Sequence, residues 1–226
     1  MGIVFGEGDT ENDIVGSVIP VRGRRNVLGS LNATINARTV NKVLTAMDVA
    51  AAANNVSVID PDATFVIEPD GEGEIKKMTF SVQRAALQAL AKNGASLTII
   101  VGETGFAVEL DKQAVAEIAA SLRGTLRVTV NPITNPTHAA RRAVGGDMPI
   151  YSIEMRDTSG NRPLISLEEG RFVMGLVYEL AEDENPDGLY IIKIVDGQLV
   201  RIEAEYEDGW LKWLDDSGGF YAIGNE

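Results

Sequence analysis

Cysteine is absent from the 226 residues, and histidine occurs once, at His138. The first absence removes disulfides, thiolate metal sites and cysteine nucleophiles together. The second leaves zinc without the three or four ligands it needs, because one imidazole among scattered carboxylates is a poor start. No G-x-S-x-G elbow accompanies His138, so an ordinary loop or capping role is expected for it rather than a place in a Ser/His/Asp triad. No apolar run is long enough to cross a bilayer, so direct membrane insertion is not expected. Residues 1–16 are acidic and contain glycine, the opposite of a signal peptide's basic start and apolar centre. A secreted form is expected to have had its signal removed, or to carry it upstream.

Positive charge is also scarce, and unevenly so. The formal net charge is -13. Met1–Gly145 holds 15 acidic and 14 basic residues, whereas Gly146–Glu226 holds 18 and 6. The second segment repels a polyphosphate backbone, and no basic stripe with interleaved aromatics is present, so nucleic acid is an unsuitable partner. An anionic membrane surface meets the same objection.

What is present is ordinary for a folded protein: 45% apolar and 23% charged residues in a chain long enough for one large or two small domains. Residues 1–11 read as a loose leader. A short extended segment around Val18–Val21 precedes Arg22, Arg24 and Arg25, a cluster expected in a solvated turn. Ala33–Ala37 is extended, Val40, Val43, Leu44 and Met47 recur at helical spacing, and the Asn54-Asn55 pair stops that helix. Val56–Ile59 and Thr64–Glu68 are extended again. Pro69–Glu74 is an acidic, turn-rich break.

Two further units share one grammar. Met78, Phe80 and Val82 alternate as a strand, Leu87 and Leu90 form a helical stripe, Asn93-Gly94 stops it, and Leu97, Ile99 and Val101 alternate. Phe106, Val108 and Leu110 then precede an Asp111 cap, a stripe at Val115 and Ile118, and alternation at Leu126, Val128 and Val130. Phe80, Val82, Leu87 and Leu90 map onto Val108, Leu110, Val115 and Ile118 at a constant offset of 28. The match predicts a duplicated strand–helix–strand unit whose helices lie on one face of a shared sheet.

Helical periodicity fades after Pro132 and Pro136. Ile150–Met155, Arg171–Leu180, Leu189–Val195, Leu199–Tyr206 and Trp210–Leu214 are β candidates. Asp196-Gly197 and Asp208-Gly209 read as tight hairpin turns. The predicted organisation is α+β: residues 1–30 as leader and first strand, 31–131 as a repeat domain with a mixed sheet, 132–148 as a linker with a short helix, and 149–226 as an antiparallel, β-sandwich-like domain.

Motifs that carry chemistry are few. Glu203, Glu205, Glu207, Asp208, Asp215 and Asp216 surround Trp210 and Trp213, but a glycosidase needs one carboxylate pair at controlled separation across a sugar cleft. Alternation puts Trp210 and Leu214 on one face and Trp213 on the other, with Trp210 expected in the core and Trp213 on a rim. Tyr206, Trp210 and Trp213 are the candidate carbohydrate contacts. Residues 182–188 and Asp60–Asp62 offer hard oxygen ligands, yet neither fits the twelve-residue calcium loop, and solvated acidic loops are expected. Gly102–Gly105 lacks the Gly-Lys-Ser/Thr of a phosphate loop and reads as a hairpin turn. No enzyme, cofactor or metal is expected.

In their order these elements resemble the globular module that precedes the S-layer homology repeats in surface proteins and surface-attached glycosidases of Gram-positive bacteria. Phe80–Leu90, Gly94–Ile99 and Val108–Val115 carry the family's strand, alanine-rich helix and GA-LTI pattern. Asp147–Tyr151 matches its Asp-x-Pro-x-Tyr signature. Phe172–Tyr178, Glu184–Pro186, Leu189–Gly197 and Tyr221–Ile223 follow in the family's order. The chain departs from it at Asp216–Phe220, where the family has His-x-Ser, and in lacking proline before Tyr178. A role belonging to that histidine does not transfer. The resemblance implies an extracellular, cell-surface, non-catalytic structural, spacer or adhesive module, flanked by other domains of a longer protein whose anchoring repeats this chain lacks. The alternative it implies is a carbohydrate-binding module of a surface glycosidase, with cell-surface or plant polysaccharide as ligand.

Overall fold

Alternating apolar residues and short helical stripes produce a chain dominated by strands and punctuated by three α-helices among the described residues. The computed structural model describes residues 1–6, 13–102, 105–133, 150–164, 167–181, 184–195 and 198–226. The elements are β1 (Gly2–Gly6), β2 (Asp13–Arg25), β3 (Ser30–Ile35), α1 (Ala37–Asn54), β4 (Val58–Pro69), β5 (Lys77–Gln83), α2 (Arg84–Lys92), β6 (Ser96–Val101), β7 (Phe106–Leu110), α3 (Lys112–Ser121) and β8 (Thr125–Pro132). They continue as β9 (Ile150–Asp157), β10 (Arg162–Pro163), β11 (Phe172–Val177), a 3-10 turn at Pro186–Gly188, β12 (Leu189–Val195), β13 (Gln198–Glu207), β14 (Trp210–Asp215) and β15 (Gly219–Asn225). The class is α+β with one large mixed sheet. No helix among the described residues is long and apolar enough to cross a membrane.

Local signals set the element ends. Asn36 caps α1 by accepting from the Thr39 N–H at 3.0 Å, and Asn55 ends it in the left-handed region with φ 54°. The Asp111 carboxylate accepts from the Ala114 N–H at 2.6 Å and starts α3. Asp208 and Gly209 both have positive φ, 50° and 82°, as a two-residue hairpin between β13 and β14 requires. Gly2–Gly6 do not belong to a loose leader: they form β1, which pairs antiparallel with β2, because Ile3 and Val4 continue an extended pattern too short to stand out in the sequence, and residues 7–11 lie outside the described residues.

Hydrogen-bonded neighbours run β1-β2-β3-β5-β8-β9-β15-β12-β13-β14-β11-β7-β6-β4, and β4 pairs in parallel with β2, so the path closes. Two strands turn the corners. β2 gives residues 14–23 to β4 and Arg24 and Arg25 to β3. β13 gives residues 198–203 to β12 and 204–207 to β14. One half of the sheet therefore holds β3, β5, β8, β9, β15 and β12, and the other β14, β11, β7, β6 and β4. Their inner faces meet, with the Phe80 and Phe106 rings stacked at 6.2 Å and Trp213 against Tyr221 at 5.6 Å.

Each helix joins the two halves: α1 leads from β3 to β4, α2 from β5 to β6, and α3 from β7 to β8. The parallel β3–β5 and β4–β6 ladders, with β8 and β7 antiparallel beside them, bring all three helices to one end. Leu87, Leu90, Val115 and Ile118 are fully buried there in one core cluster. The helices thus do not share one face of one half, as the repeat predicts. A helical stripe specifies that a face must be covered, not which strand covers it.

The segments 31–131 and 149–226 meet at two seams, β8–β9 and β7–β11, and contribute to the same core. Residues 134–149 lie outside the described residues. The expected linker helix, His138 and most of the Asp147–Tyr151 signature fall there.

Candidate functional site

In β3, β5, β8 and β9 the apolar residues point inward: Ala33 and Ile35, Met78, Phe80 and Val82, Leu126, Val128 and Val130, Ile153 and Met155 are all buried. Alternation sends the residues between them outward, and strand register then fixes their neighbours. Asn32 lies opposite Thr79, Thr79 opposite Thr129, and Thr129 opposite Glu154. In the next row Thr34 lies opposite Ser81, Ser81 opposite Arg127, and Arg127 opposite Arg156. With Lys77 and Asn131 at its margin, this polar grid lines a hollow of about 510 Å³.

Charge on the grid runs against the rest of the chain. Arg156 donates to the Glu154 carboxylate at 2.9 Å and to the Asn161 carbonyl at 3.3 Å. Among the described residues, neither the Arg127 guanidinium nor the Lys77 ammonium has a hydrogen-bond or carboxylate partner. The outer face of the other half is acidic. There Glu109 is held above the usual carboxylate range by burial and by the charges of Asp62 and Asp111.

The sequence-predicted aromatic contacts do not converge. Trp213 is only 2% exposed and packs on Tyr221. Tyr206 lies opposite buried Leu211, so it shares the inner face, and its hydroxyl donates to the Tyr178 carbonyl at 3.1 Å. Trp210 lies opposite Glu207 and Val177 on the outer face, where its ring covers Gly175. The alternation is as expected, but the core side is reversed. Trp210, Lys212 and Leu214 against Leu211, Trp213 and Asp215 give each face two apolar residues and one charge, so hydrophobicity alone does not choose between them.

The choice is made by a buried polar cluster absent from the sequence reading. The Lys193 ammonium, on β12, donates to Asp215 at 2.7 Å and to the Ser217 hydroxyl at 2.8 Å. Asp215 also accepts from the Tyr221 hydroxyl at 3.0 Å and the Asp216 N–H at 2.7 Å. Tyr221 titrates far above its ordinary value through burial and the Asp215 charge, so its phenol stays a donor. Every group here is held by another, which suits fixing strands better than moving protons.

Other carboxylates hold loops. Glu184 accepts from the Tyr178 hydroxyl at 2.7 Å, the Asn225 amide at 2.9 Å and the Ala181 N–H at 3.1 Å. Burial draws it upward, but these bonds outweigh that and its carboxyl titrates below the ordinary range. Tyr178 is pushed up to about 12 by burial and by Glu184. The expected acidic loop at 182–188 is therefore described only from Glu184, whose oxygens are already occupied. Glu117 on α3 binds the N–H groups of Glu168, Glu169 and Gly170 at 2.8, 3.0 and 2.8 Å. Asp157 receives the N–H groups of Arg123, Gly124 and Ser159, each at 2.9 Å.

Asp60 pairs with Lys112, and Asp62 accepts from Ser96 at 2.7 Å and Thr98 at 3.0 Å. Arg25 from the basic cluster donates to the Gly71 and Gly73 carbonyls and so holds the acidic turn after β4. No group of three or more metal-ligating side chains converges among the described residues. The chain matches no protein-family model, and a search of curated proteins finds no match either.

Proposed function

We propose that the chain is a non-catalytic structural, spacer or adhesive module of a bacterial cell-surface protein, exposed outside the cell and flanked by other domains. The observation that supports this most is the closed strand path. A sheet without a long free edge resists edge-to-edge association, and strands from both ends of the chain lock into one core. The order of family-like motifs supports the location. On this reading α2 and α3 belong to a duplicated strand–helix–strand unit, and the C-terminal strands complete both halves of a sandwich-like closed sheet. The equivalent residues Phe80 and Val108, Val82 and Leu110, Leu87 and Val115, and Leu90 and Ile118 are all buried.

Antibody raised against the chain is expected to label intact source cells; labelling only after lysis sinks the surface reading. A single molecule pulled from its termini is expected to unfold in one cooperative step. Release of residues 149–226 with 31–131 still folded speaks against an interlocked spacer. The carbohydrate-binding alternative draws no support from Tyr206, Trp210 and Trp213, which lie on two faces. A glycan array decides whether another surface serves instead.

A further inference from the structure

We propose that the outer face of β3, β5, β8 and β9 binds an anionic, polyhydroxylated chain, such as a glycan carrying carboxylate or phosphate groups, with Arg127 and Arg156 holding the anion. This inference goes beyond the spacer role and stands independently of where the protein resides.

Register carries it. Arg127 and Arg156 are directly opposite on neighbouring antiparallel strands. Like charges so placed are destabilising, and an anion between them converts that repulsion into two charge-assisted contacts. Glu154 bonds Arg156, through Nε, and among the described residues Arg127 has no carboxylate partner. The guanidinium fork is suited to carboxylate and phosphate oxygens.

Around the pair, Asn32, Ser81, Thr79 and Thr129 present amides and hydroxyls that both donate and accept, as recognition of sugar hydroxyls requires. Four strands about 4.8 Å apart give a platform roughly 14 Å across, wide enough for a chain rather than a single small ion. The acidic surplus of residues 146–226 opposes long polyanions, but three of the four strands come from the nearly neutral first segment. A short chain with spaced charges is therefore favoured over nucleic acid.

The test is calorimetric titration of the whole chain with four probes. These are an oligogalacturonide, a glycerol-phosphate oligomer, a neutral cello-oligosaccharide of similar length and a single-stranded oligonucleotide. At least one of the first two is expected to bind at least about tenfold more tightly than the neutral sugar, the effect of one or two charge-assisted bonds. Which of the two does so identifies the anion. Arg127→Ala is expected to remove that advantage without lowering the melting temperature, since it also relieves the like-charge repulsion. Arg38→Ala, which removes an exposed cation on α1, is expected to leave binding as it was. Failure of both anionic oligomers to bind at millimolar concentration overturns the site. So does wild-type affinity in Arg127→Ala, or equal affinity for the oligonucleotide, which marks generic polyanion attraction. These outcomes are independent of cell labelling, so the site and the surface reading fail separately.

Discussion

The helix-capped end and the C-terminal strands both contribute buried residues to the core but are held by different forces. Under the helices the buried side chains are mostly apolar, Leu87, Leu90, Val115, Ile118 and their strand neighbours, and the buried carboxylates at that end, Asp13 and Asp157, accept backbone N–H groups, from Ser57 and from Arg123, Gly124 and Ser159. Between β12, β14 and β15 the core instead encloses Lys193, Asp215 and Tyr221, in contact with Trp213. Apolar burial tolerates small shifts in packing, whereas a buried ion pair demands one arrangement. That gives the second region a sharper register at the cost of vulnerability to losing a single partner.

The largest expected effect tests that vulnerability. Asp215→Ala leaves Lys193 buried without its carboxylate and is expected to cost about 3–5 kcal/mol in urea denaturation. Replacing both partners, as Lys193→Met with Asp215→Leu, is expected to recover most of that loss, because no uncompensated charge remains. If the double variant is as unstable as the single one, the pair is not the source of the loss.

Next come the apolar residues. Leu90→Ala and Ile118→Ala are each expected to cost roughly 2–5 kcal/mol, through lost burial and the cavity left behind. The pH dependence of these variants is expected to parallel the wild type, since no titrating group is removed. Small losses at both positions undo the account of the helical end.

Loop tethers rank third and respond to acid. Backbone N–H groups of Glu168 and Gly170 hold the Glu117 carboxyl below its ordinary 4.5. At Asp157 burial acts upward, but the N–H groups of Arg123, Ser159 and Gly124 outweigh it and hold the carboxyl below 3.8. A carboxyl whose folded pKa is depressed contributes fully above its unfolded pKa and loses that contribution as pH falls through the folded one. The wild-type urea midpoint is therefore expected to fall below about pH 5. Glu117→Gln and Asp157→Asn are expected to start lower at neutral pH and show a flatter acid limb. Limbs as steep as the wild type's assign the acid sensitivity to other groups.

These regions also differ in how far the sequence reveals them. Stripes at Leu87, Leu90, Val115 and Ile118 have a clear period, so the helices and their buried faces are legible, as are the Asp111 cap and the Asp208-Gly209 turn. Closure of the sheet is not, because pairing between β2 and β4 or β7 and β11 depends on contacts distant in sequence. The buried Lys193–Asp215 pair is equally hidden, since each charge alone reads as a solvated residue. Arg127 and Thr129 alternate with Leu126, Val128 and Val130, so their outward direction is readable. Only the register shows that Arg127 faces Arg156.

The smallest expected effect is the control on which the comparison rests. Lys112 opens α3 and pairs with Asp60, with both side chains mostly exposed, at 61% and 72%. Water and salt screen such a pair, and ordering two mobile side chains offsets much of its attraction, so it contributes little. The N-terminal turn of a helix is also an unfavourable place for a cation, which reduces the net value further. Lys112→Ala is therefore expected to change stability by no more than about 0.5 kcal/mol. Lys92→Ala, an exposed lysine in the last turn of α2, is expected to behave alike, with the weak helix-dipole contribution reversed in sign. Urea denaturation of both variants beside Leu90→Ala and Ile118→Ala measures the contrast on the same two helices. A loss at Lys112 as large as that at Ile118 means that α3 is held from its solvent side as firmly as from its core side. The distinction between an apolar helical end and a charge-locked C-terminal core then fails at its first term.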